Sequence, residues 1–254
     1  MRRVWRRELA EETTKYLDKQ QGAIDLAQRR GTLNTDKAWA SSAKSLHIKA
    51  LRGVLGKMAG AGERCMYCVD SHGSDIEHFW PKTSYPQHMF RWTNLLLCCT
   101  ECGRFKSSQF PLQDNGQPLL IDPSNENPWA HLDFDPITGR LTARYCLDLA
   151  DYSPMGVQTI RVLRLDREHL EGQHRKTYRR LCRVLEDFGQ NAGGGARGLA
   201  KALQGADDHG LLGWWIGGSG AEDDPLAEFK NRAPEIWREC ADILSRAHSG
   251  KSSS

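Results

Sequence analysis

The spacing of apolar residues predicts helices along most of the chain. Apolar side chains recur at intervals of three and four over residues 5–30 and again over residues 43–58, as on one face of an amphipathic helix. Residues 167–188 show the same period, with an apolar stripe on one side and basic side chains on the other. A last helix is predicted over residues 225–244, with a kink near Pro234.

Short strand-like stretches predict two β-hairpins, and the second of them alternates between apolar and polar residues. Residues 74–79 and 95–98 are expected to pair across a loop that contains two prolines. Farther along, residues 132–134 are expected to face residues 141–145 across a turn with a Pro and a Gly. Together with the helices, these strands predict an α+β fold that is mostly helical.

Two CxxC pairs frame the first predicted hairpin. Cys65 and Cys68 precede it, and Cys99 and Cys102 follow it. Four thiolates presented by two such turns can close a tetrahedral zinc site, so the pattern favours structural zinc over a redox motif or a disulfide. Cys98 directly precedes Cys99, and adjacent residues of a strand face opposite sides, so only one of them can face the metal. The CxxC register selects Cys99.

The position of the zinc-stapled core in the sequence suggests a division of the chain into four parts. A core of about forty residues buries too little surface to be stable without metal or flanking helices. The expected parts are an N-terminal helical region, the core, a hairpin and helical extension, and a C-terminal helical region, over residues 1–62, 63–112, 113–190 and 191–254. In the last part, residues 191–198 are expected to form a flexible break and residues 249–254 a disordered tail.

Composition and charge restrict the partners only loosely. The chain has 254 residues, of which 39% are hydrophobic and 26% charged, as in ordinary globular proteins of one large or two small domains. The formal net charge is only +3, so any nucleic-acid footprint must come from local clustering of basic residues. Arg175, Arg179 and Arg183 form such a cluster on the predicted helix over residues 167–188. They could bind phosphates or simply form a solvated face.

The sequence carries no pattern typical of a membrane or secreted protein. Its first residues lack the apolar stretch of a signal peptide, and its longest apolar runs, such as LLLCC, are far too short to span a bilayer. A cytoplasmic protein is therefore expected. In a reducing compartment the eight cysteines are expected to be ligands and core residues rather than disulfides.

The motif region resembles the HNH endonuclease family, whose fold is the ββα-metal core. The likeness lies in the order of CMYC, DIEHFWPK and RWTNLLLCCTECGRFK. Farther out, WPKTSYP, LIDPSNENPWAHLDFDPITGRL and TIRVLRLDREHL resemble the HNH nucleases of Septu-type and retron-associated anti-phage systems. This wider resemblance covers roughly residues 40–190.

The resemblance implies a role for each polar residue of the motif. His78 would be the general base that takes a proton from the attacking water, a task that suits histidine near neutral pH. Glu77 would bind a catalytic Mg²⁺ or Mn²⁺, and Asp75, two residues away on the same strand face, could share or replace it. Asn94 would shape the loop that holds His78. The alternatives are that His78 is a zinc ligand or a surface residue, that Asn94 caps a turn, and that Glu77 is a solvated charge.

One position departs from the pattern of the family. The residue directly after the last cysteine is usually His or Asn and completes the catalytic metal site, but here it is Gly103. A bound metal would then have fewer protein ligands, which Mg²⁺ tolerates because it commonly keeps several waters. On the helix that follows, Arg104 and Lys106 would contact phosphate, although Lys106 could also be an ordinary surface lysine.

The expected function is metal-dependent hydrolysis of DNA phosphodiester bonds, in defence against foreign DNA. The rival hypothesis is a degenerate zinc-knuckle module that binds nucleic acid or a partner without cutting. The resemblance also implies an ABC-type ATPase subunit of the same system as a partner, and the retron-associated relatives suggest reverse-transcribed DNA or RNA as another. Candidate docking surfaces are the basic helix and the segment near Trp214 and Trp215, which could instead be core residues.

Overall fold

Helices make up most of the chain, and the strands are short. The structure is a computed structural model that describes residues 1–190 and 195–248, and in these ranges six strands form three two-stranded sheets. The predicted α+β class, mostly helical, is confirmed. Contacts divide the chain into two compact units, here called the N-terminal unit and the C-terminal unit. The former comprises Arg6–Tyr67 and Ser71–Pro118, and the latter comprises Met1–Trp5, Cys68–Asp70 and the residues from Leu119 onward.

Three helices precede the first strand of the N-terminal unit. They are α1 (Glu11–Arg29), α2 (Thr35–Ala43) and α3 (Leu46–Ala59). Asn34 and Ser45 cap α2 and α3, because each side chain accepts a hydrogen bond from the backbone N–H three residues farther on. The helix expected from residue 5 begins later, at Glu11. Helix α2 is absent from the sequence prediction because TDKAWASSA carries only one large apolar side chain and no stripe.

A hairpin and a short helix follow in the N-terminal unit. The strands are β1 (Asp75–His78) and β2 (Leu95–Cys98), and α4 spans Thr100–Lys106. The antiparallel register pairs Glu77 with Leu96 and His78 with Leu95. All four residues of β2 are buried, and α3 packs against this strand. The hairpin therefore lies where the sequence predicts it, with each end one residue or less from the expected position.

The C-terminal unit contains the four remaining strands. They are β3 (Leu132–Phe134), β4 (Leu141–Ala143), β5 (Tyr145–Cys146) and β6 (Asp151–Tyr152). Leu132 pairs with Ala143 and Phe134 with Leu141, as the alternation predicts. The expectation that Tyr145 belongs to the same hairpin is wrong, because Tyr145 pairs with Tyr152 in a second small sheet.

Six helices complete the described part of the C-terminal unit. They are α5 (Pro154–Leu163), α6 (Glu168–Gln190), α7 (Gly195–Ala206), α8 (Leu212–Gly217), α9 (Leu226–Arg232) and α10 (Pro234–His248). The kink expected at Pro234 is a full break, since Ala233 separates α9 from α10. Of the flexible break expected over residues 191–198, the first four residues lie outside the described chain and the rest belong to α7, so that half is wrong. The expected tail, residues 249–254, also lies outside it.

None of the helices described here is both long enough and apolar enough to cross a membrane.

Two adjacent tryptophans form part of the core of the C-terminal unit. Trp214 and Trp215 are each 1% exposed. The indole N–H of Trp214 donates to Asp133, 2.7 Å away, and its ring lies 5.2 Å from that of Phe134 in an edge-on contact. The interpretation of these residues as core is therefore correct, and they are not a docking surface.

Several exposed apolar side chains of this unit cluster elsewhere, on the sheet of β5 and β6. Leu147 is 87% exposed and Leu149 59%, in the turn between the two strands. Tyr145 and Tyr152 are half exposed, and their rings lie 5.5 Å apart. We call residues 145–152 the apolar hairpin. Four large apolar side chains on eight residues make a surface that water solvates poorly.

Candidate active site and metal centre

The four cysteines of the CxxC pairs converge in the structure. Cys65, Cys68, Cys99 and Cys102 are all buried, and their sulfurs lie within 4.8 Å of one another. Zinc bound by four thiolates at about 2.3 Å holds its sulfurs about 3.8 Å apart, so the cluster matches the size of a tetrahedral Zn²⁺ site. The backbone N–H of Cys102 also points at the sulfur of Cys99, 3.5 Å away, which stabilises a thiolate. These donors fit structural zinc.

Cys98 lies outside this cluster, although it is the neighbour of a ligand. Its thiol is fully buried, and burial raises the pKa of the thiol well above its usual range. An ideal Cβ built on Gly103 would lie 3.3 Å from the Cys98 sulfur, so the thiol packs against the start of α4. The alternation of side chains along a strand therefore separates Cys98 from Cys99, as expected.

His78 lies at the end of β1 with one ring nitrogen fixed. Its Nε2 is 3.1 Å from the carbonyl oxygen of Met89, and the ring of Trp39 packs edge-on against it with centroids 4.4 Å apart. A carbonyl can only accept a hydrogen bond, so Nε2 carries the proton and Nδ1 keeps its lone pair. Burial, and then the charge of Lys82, lowers the pKa of His78 to about 3. The imidazole is therefore neutral at neutral pH, and its Nδ1 is unprotonated.

Asn94 organises the loop that supplies the Met89 carbonyl. Its side-chain oxygen accepts from the backbone N–H of Trp80 at 2.7 Å. Its amide nitrogen donates to the carbonyl of Trp80 at 3.1 Å and to the carbonyl of His88 at 2.9 Å. One buried side chain thus ties together both ends of the loop that follows β1. The geometry agrees with the loop-shaping role that the resemblance implies.

Glu77 forms an ion pair with Lys106, the lysine that was expected to contact phosphate. The Nζ of Lys106 lies 2.8 Å from a carboxylate oxygen of Glu77 and 2.8 Å from the backbone oxygen of His78. Lys106 has no exposed surface, so its ammonium cannot reach a phosphate on the protein surface, which corrects its expected DNA contact. Burial raises the pKa of the Glu77 carboxyl, and the attraction of Lys106 opposes that shift without cancelling it.

The position of Gly103 faces this carboxylate. A Cβ there would lie 3.7 Å from the second oxygen of Glu77 and 3.3 Å from the Cys98 sulfur. A side chain at 103 could therefore add a ligand beside Glu77. Glycine adds none.

The remaining predicted site residues lie at the surface. Asp75 is exposed, and its carboxylate accepts hydrogen bonds from the hydroxyls of Ser74 and Thr100, both at 2.9 Å. Arg104 is exposed on α4. On α6, Arg175, Arg179 and Arg183 are exposed and recur every four residues, so they form a row along one side of the helix.

Glu77 and His78 open into one cavity of about 270 Å³ in the N-terminal unit. Its polar walls are Glu77, His78, Lys82, Thr83, Ser107 and Ser108, whereas Asp75 does not line it. The last four residues were not among the predicted site residues. The sequence does contain a signal for them, namely their chemistry and position. Lys82 and Thr83 follow His78 in WPKTSYP, and Ser107 and Ser108 follow α4 at the end of GRFKSS.

Comparison with known proteins finds a partial similarity to a Septu protein. It is 25% identical over 158 residues to the Septu protein PtuB of Bacillus thuringiensis, a match that covers 57% of this chain and 56% of the relative. The chain thus aligns with little more than half the length of that protein. No protein-family model matches the sequence, and no solved structure matches it either.

Proposed function

We propose that this protein is a metal-dependent endonuclease of the HNH type that hydrolyses DNA phosphodiester bonds. The observation that carries the proposal is the environment of His78. Its Nε2 is fixed by the Met89 carbonyl, its Nδ1 is unprotonated, and the Glu77 carboxylate lines the same cavity. General-base hydrolysis needs an unprotonated group that can reach the attacking water, and the neutral imidazole of His78 lines a polar cavity beside a carboxylate.

The chain's own residues divide the work of hydrolysis. Nδ1 of His78 takes a proton from a water that attacks the phosphorus, and the Met89 carbonyl keeps the ring oriented while the imidazolium forms. Asn94 holds the loop that positions this carbonyl. A divalent metal bound at Glu77 would stabilise negative charge on the phosphate and on the leaving oxygen.

Few side chains beside His78 could act as ligands for such a metal. Among the residues that the structure describes, Glu77 is the only carboxylate that lines the cavity, and the ammonium of Lys106 already neutralises one of its oxygens. Mg²⁺ is often held by one or two carboxylates with the rest of its shell supplied by water and phosphate, so the set is sufficient but weak. The site should therefore favour Mn²⁺, which binds such donors more tightly than Mg²⁺.

We place this activity in anti-phage defence, supported by the likeness to a Septu protein. The DNA-cutting subunit would then act with an ABC-type ATPase of the same system. The apolar hairpin is the surface we assign to that partner, because it is exposed and carries no basic residue, only Asp148 and Asp151. An isologous dimer through this patch would oppose like charges, so the complement is a different protein with an apolar groove lined by Lys or Arg.

One alternative has its own support. The pairing of Lys106 with Glu77, together with Gly103, leaves the cavity poor in metal ligands. Under this second hypothesis the chain is a zinc-stapled module that binds nucleic acid or a partner without cutting.

A direct assay separates the two functions. Plasmid and single-stranded DNA are incubated with wild-type protein, with and without the ATPase, in Mg²⁺ or Mn²⁺, and binding is measured in parallel in EDTA. Cleavage by wild type that is lost in His78→Ala but kept in His169→Ala, an exposed histidine of α6, supports the nuclease. Binding without cleavage under every condition supports the module.

A further inference from the structure

One wall of the cavity beside His78 has the chemistry of an anion site. Lys82 carries the only positive charge among the residues described as lining the cavity, since Lys106 lies behind Glu77 and does not line it. Thr83, Ser107 and Ser108 add three hydroxyl groups to the same cavity. Hydroxyls and ammonium groups are the side-chain donors that commonly bind phosphate oxygens.

Ser107 has an unusual backbone at this wall. It ends α4 with a φ of 44°, a left-handed value that a residue with a Cβ rarely adopts. Its backbone N–H still bonds to the carbonyl of Gly103, and its side chain is exposed. Strained conformations of this kind are retained where the surroundings impose them, often at ligand sites. The turn places two consecutive serines at the cavity.

Lys82 is held at the cavity by an exchangeable contact. Its Nζ lies 2.6 Å from a carboxylate oxygen of Asp36 on α2, and that aspartate side chain is 80% exposed while the lysine side chain is 24% exposed. An ion pair with so exposed a partner adds little stability, so a second anion can replace Asp36 at low cost. The lysine is close enough to His78 and Glu77 to influence both groups electrostatically.

We infer that Lys82, with the hydroxyls of Thr83, Ser107 and Ser108, binds a phosphodiester of a nucleic-acid strand next to His78. Lys82 would leave Asp36 when the phosphate enters. The inference rests on the proposed function for the identity of the anion, and it gives the phosphate-binding task to Lys82 in place of the buried Lys106. The cavity volume of about 270 Å³ is smaller than a typical pocket for a drug-sized ligand and suits one phosphodiester unit.

The test is DNA binding in EDTA, where no cleavage can occur. Binding of a fluorescent single-stranded oligonucleotide is measured by anisotropy over a range of salt concentrations. Lys82→Gln should weaken binding and reduce the slope of log K against log salt by about 0.7, the loss of one phosphate contact. Lys49→Gln, an exposed lysine on α3 that does not line the cavity, should leave the slope unchanged.

Asp36→Asn distinguishes a phosphate site from a structural ion pair. If Lys82 only tethers α2, then Lys82→Gln and Asp36→Asn break the same contact and should affect binding alike. If Lys82 binds phosphate, Asp36→Asn removes a competing anion and should leave binding equal to wild type or tighter. Equal effects of the two variants would overturn the inference, and so would an unchanged slope in Lys82→Gln or a wild type that binds no DNA.

Cleavage assays on the same variants separate this inference from the proposed function. If wild type cuts DNA and Lys82→Gln binds and cuts equally well, the subsite is wrong and the nuclease stands. If Lys82→Gln shows the expected loss of slope and wild type never cuts, the subsite stands and the nuclease is wrong.

Discussion

The ammonium of Lys106 lies 2.8 Å from the carboxylate of Glu77, and the lysine is fully buried. The two residues come from α4 and β1, so this ion pair ties the helix to the hairpin that carries His78. A largely buried charge that loses its partner is costly, because the remaining charge has no counter-ion and little contact with water.

Lys106→Met should therefore destabilise the protein by roughly 3 to 5 kcal/mol. The shift of the urea unfolding midpoint, measured in zinc-containing buffer, gives the change. The double variant Lys106→Met with Glu77→Leu removes both charges and should recover much of the loss. A single variant that costs less than about 1 kcal/mol, as exposed pairs do, would show that water reaches the pair and that Lys106 is not buried in solution.

The two adjacent cysteines at the end of β2 should behave oppositely. Cys99→Ser removes a ligand from a closed four-thiolate site whose binding is coupled to folding, so the protein should lose zinc or become insoluble. Cys98→Ser leaves all four ligands and should keep about one zinc per chain by elemental analysis. Absence of zinc from freshly purified wild type, or loss of zinc in Cys98→Ser, would contradict the assignment of the cluster.

Gly103→Asn should strengthen the metal site that we propose at Glu77. Its side chain would project toward the free oxygen of Glu77, where a Cβ is 3.7 Å away, and could replace one water in the metal shell. DNA cleavage should then reach half its maximum at a lower Mg²⁺ concentration. Gly103→Ala is the matched control, since it meets the same Cys98 sulfur but supplies no ligand. If both variants shift the metal dependence equally, or neither does, the position does not contribute to metal binding.

The apolar hairpin should be needed for the proposed complex with an ATPase. Leu147→Asp places a charge on a side chain that is 87% exposed, so it should leave the fold intact while abolishing co-elution with the ATPase in size exclusion at micromolar concentration. Ile137→Asp, at an equally exposed apolar position in the turn between β3 and β4, is the control and should still co-elute. Retention of the complex in Leu147→Asp would place the docking surface elsewhere.

The sequence predicts the parts of the site that depend on local spacing. The CxxC register separates Cys99 from Cys98, and the strand-like stretches at residues 74–79 and 95–98 predict the hairpin, because both patterns are local in the sequence. The pairing of Leu132 and Phe134 with β4 has the same origin.

The contacts that the sequence does not predict join residues far apart in the chain. Lys106 follows a CxxC helix and resembles a surface lysine until the fold places it against Glu77, 29 residues earlier. The contact of Trp39 with His78 depends on α2, and this helix could not be predicted because its sequence has no apolar stripe. A prediction from the sequence pattern also misses the exposure of Leu147, because an apolar residue is expected to be buried in the core.

Single-turnover cleavage tests most directly whether the Nδ1 atom of His78 is the base of a DNA-cutting site. Wild type and His78→Ala are compared at saturating Mn²⁺, after both are shown to hold equal zinc and to bind the oligonucleotide equally in EDTA. Removal of a general base should slow cleavage by roughly 10² to 10⁴. Equal cleavage rates in the two proteins would contradict this role of His78.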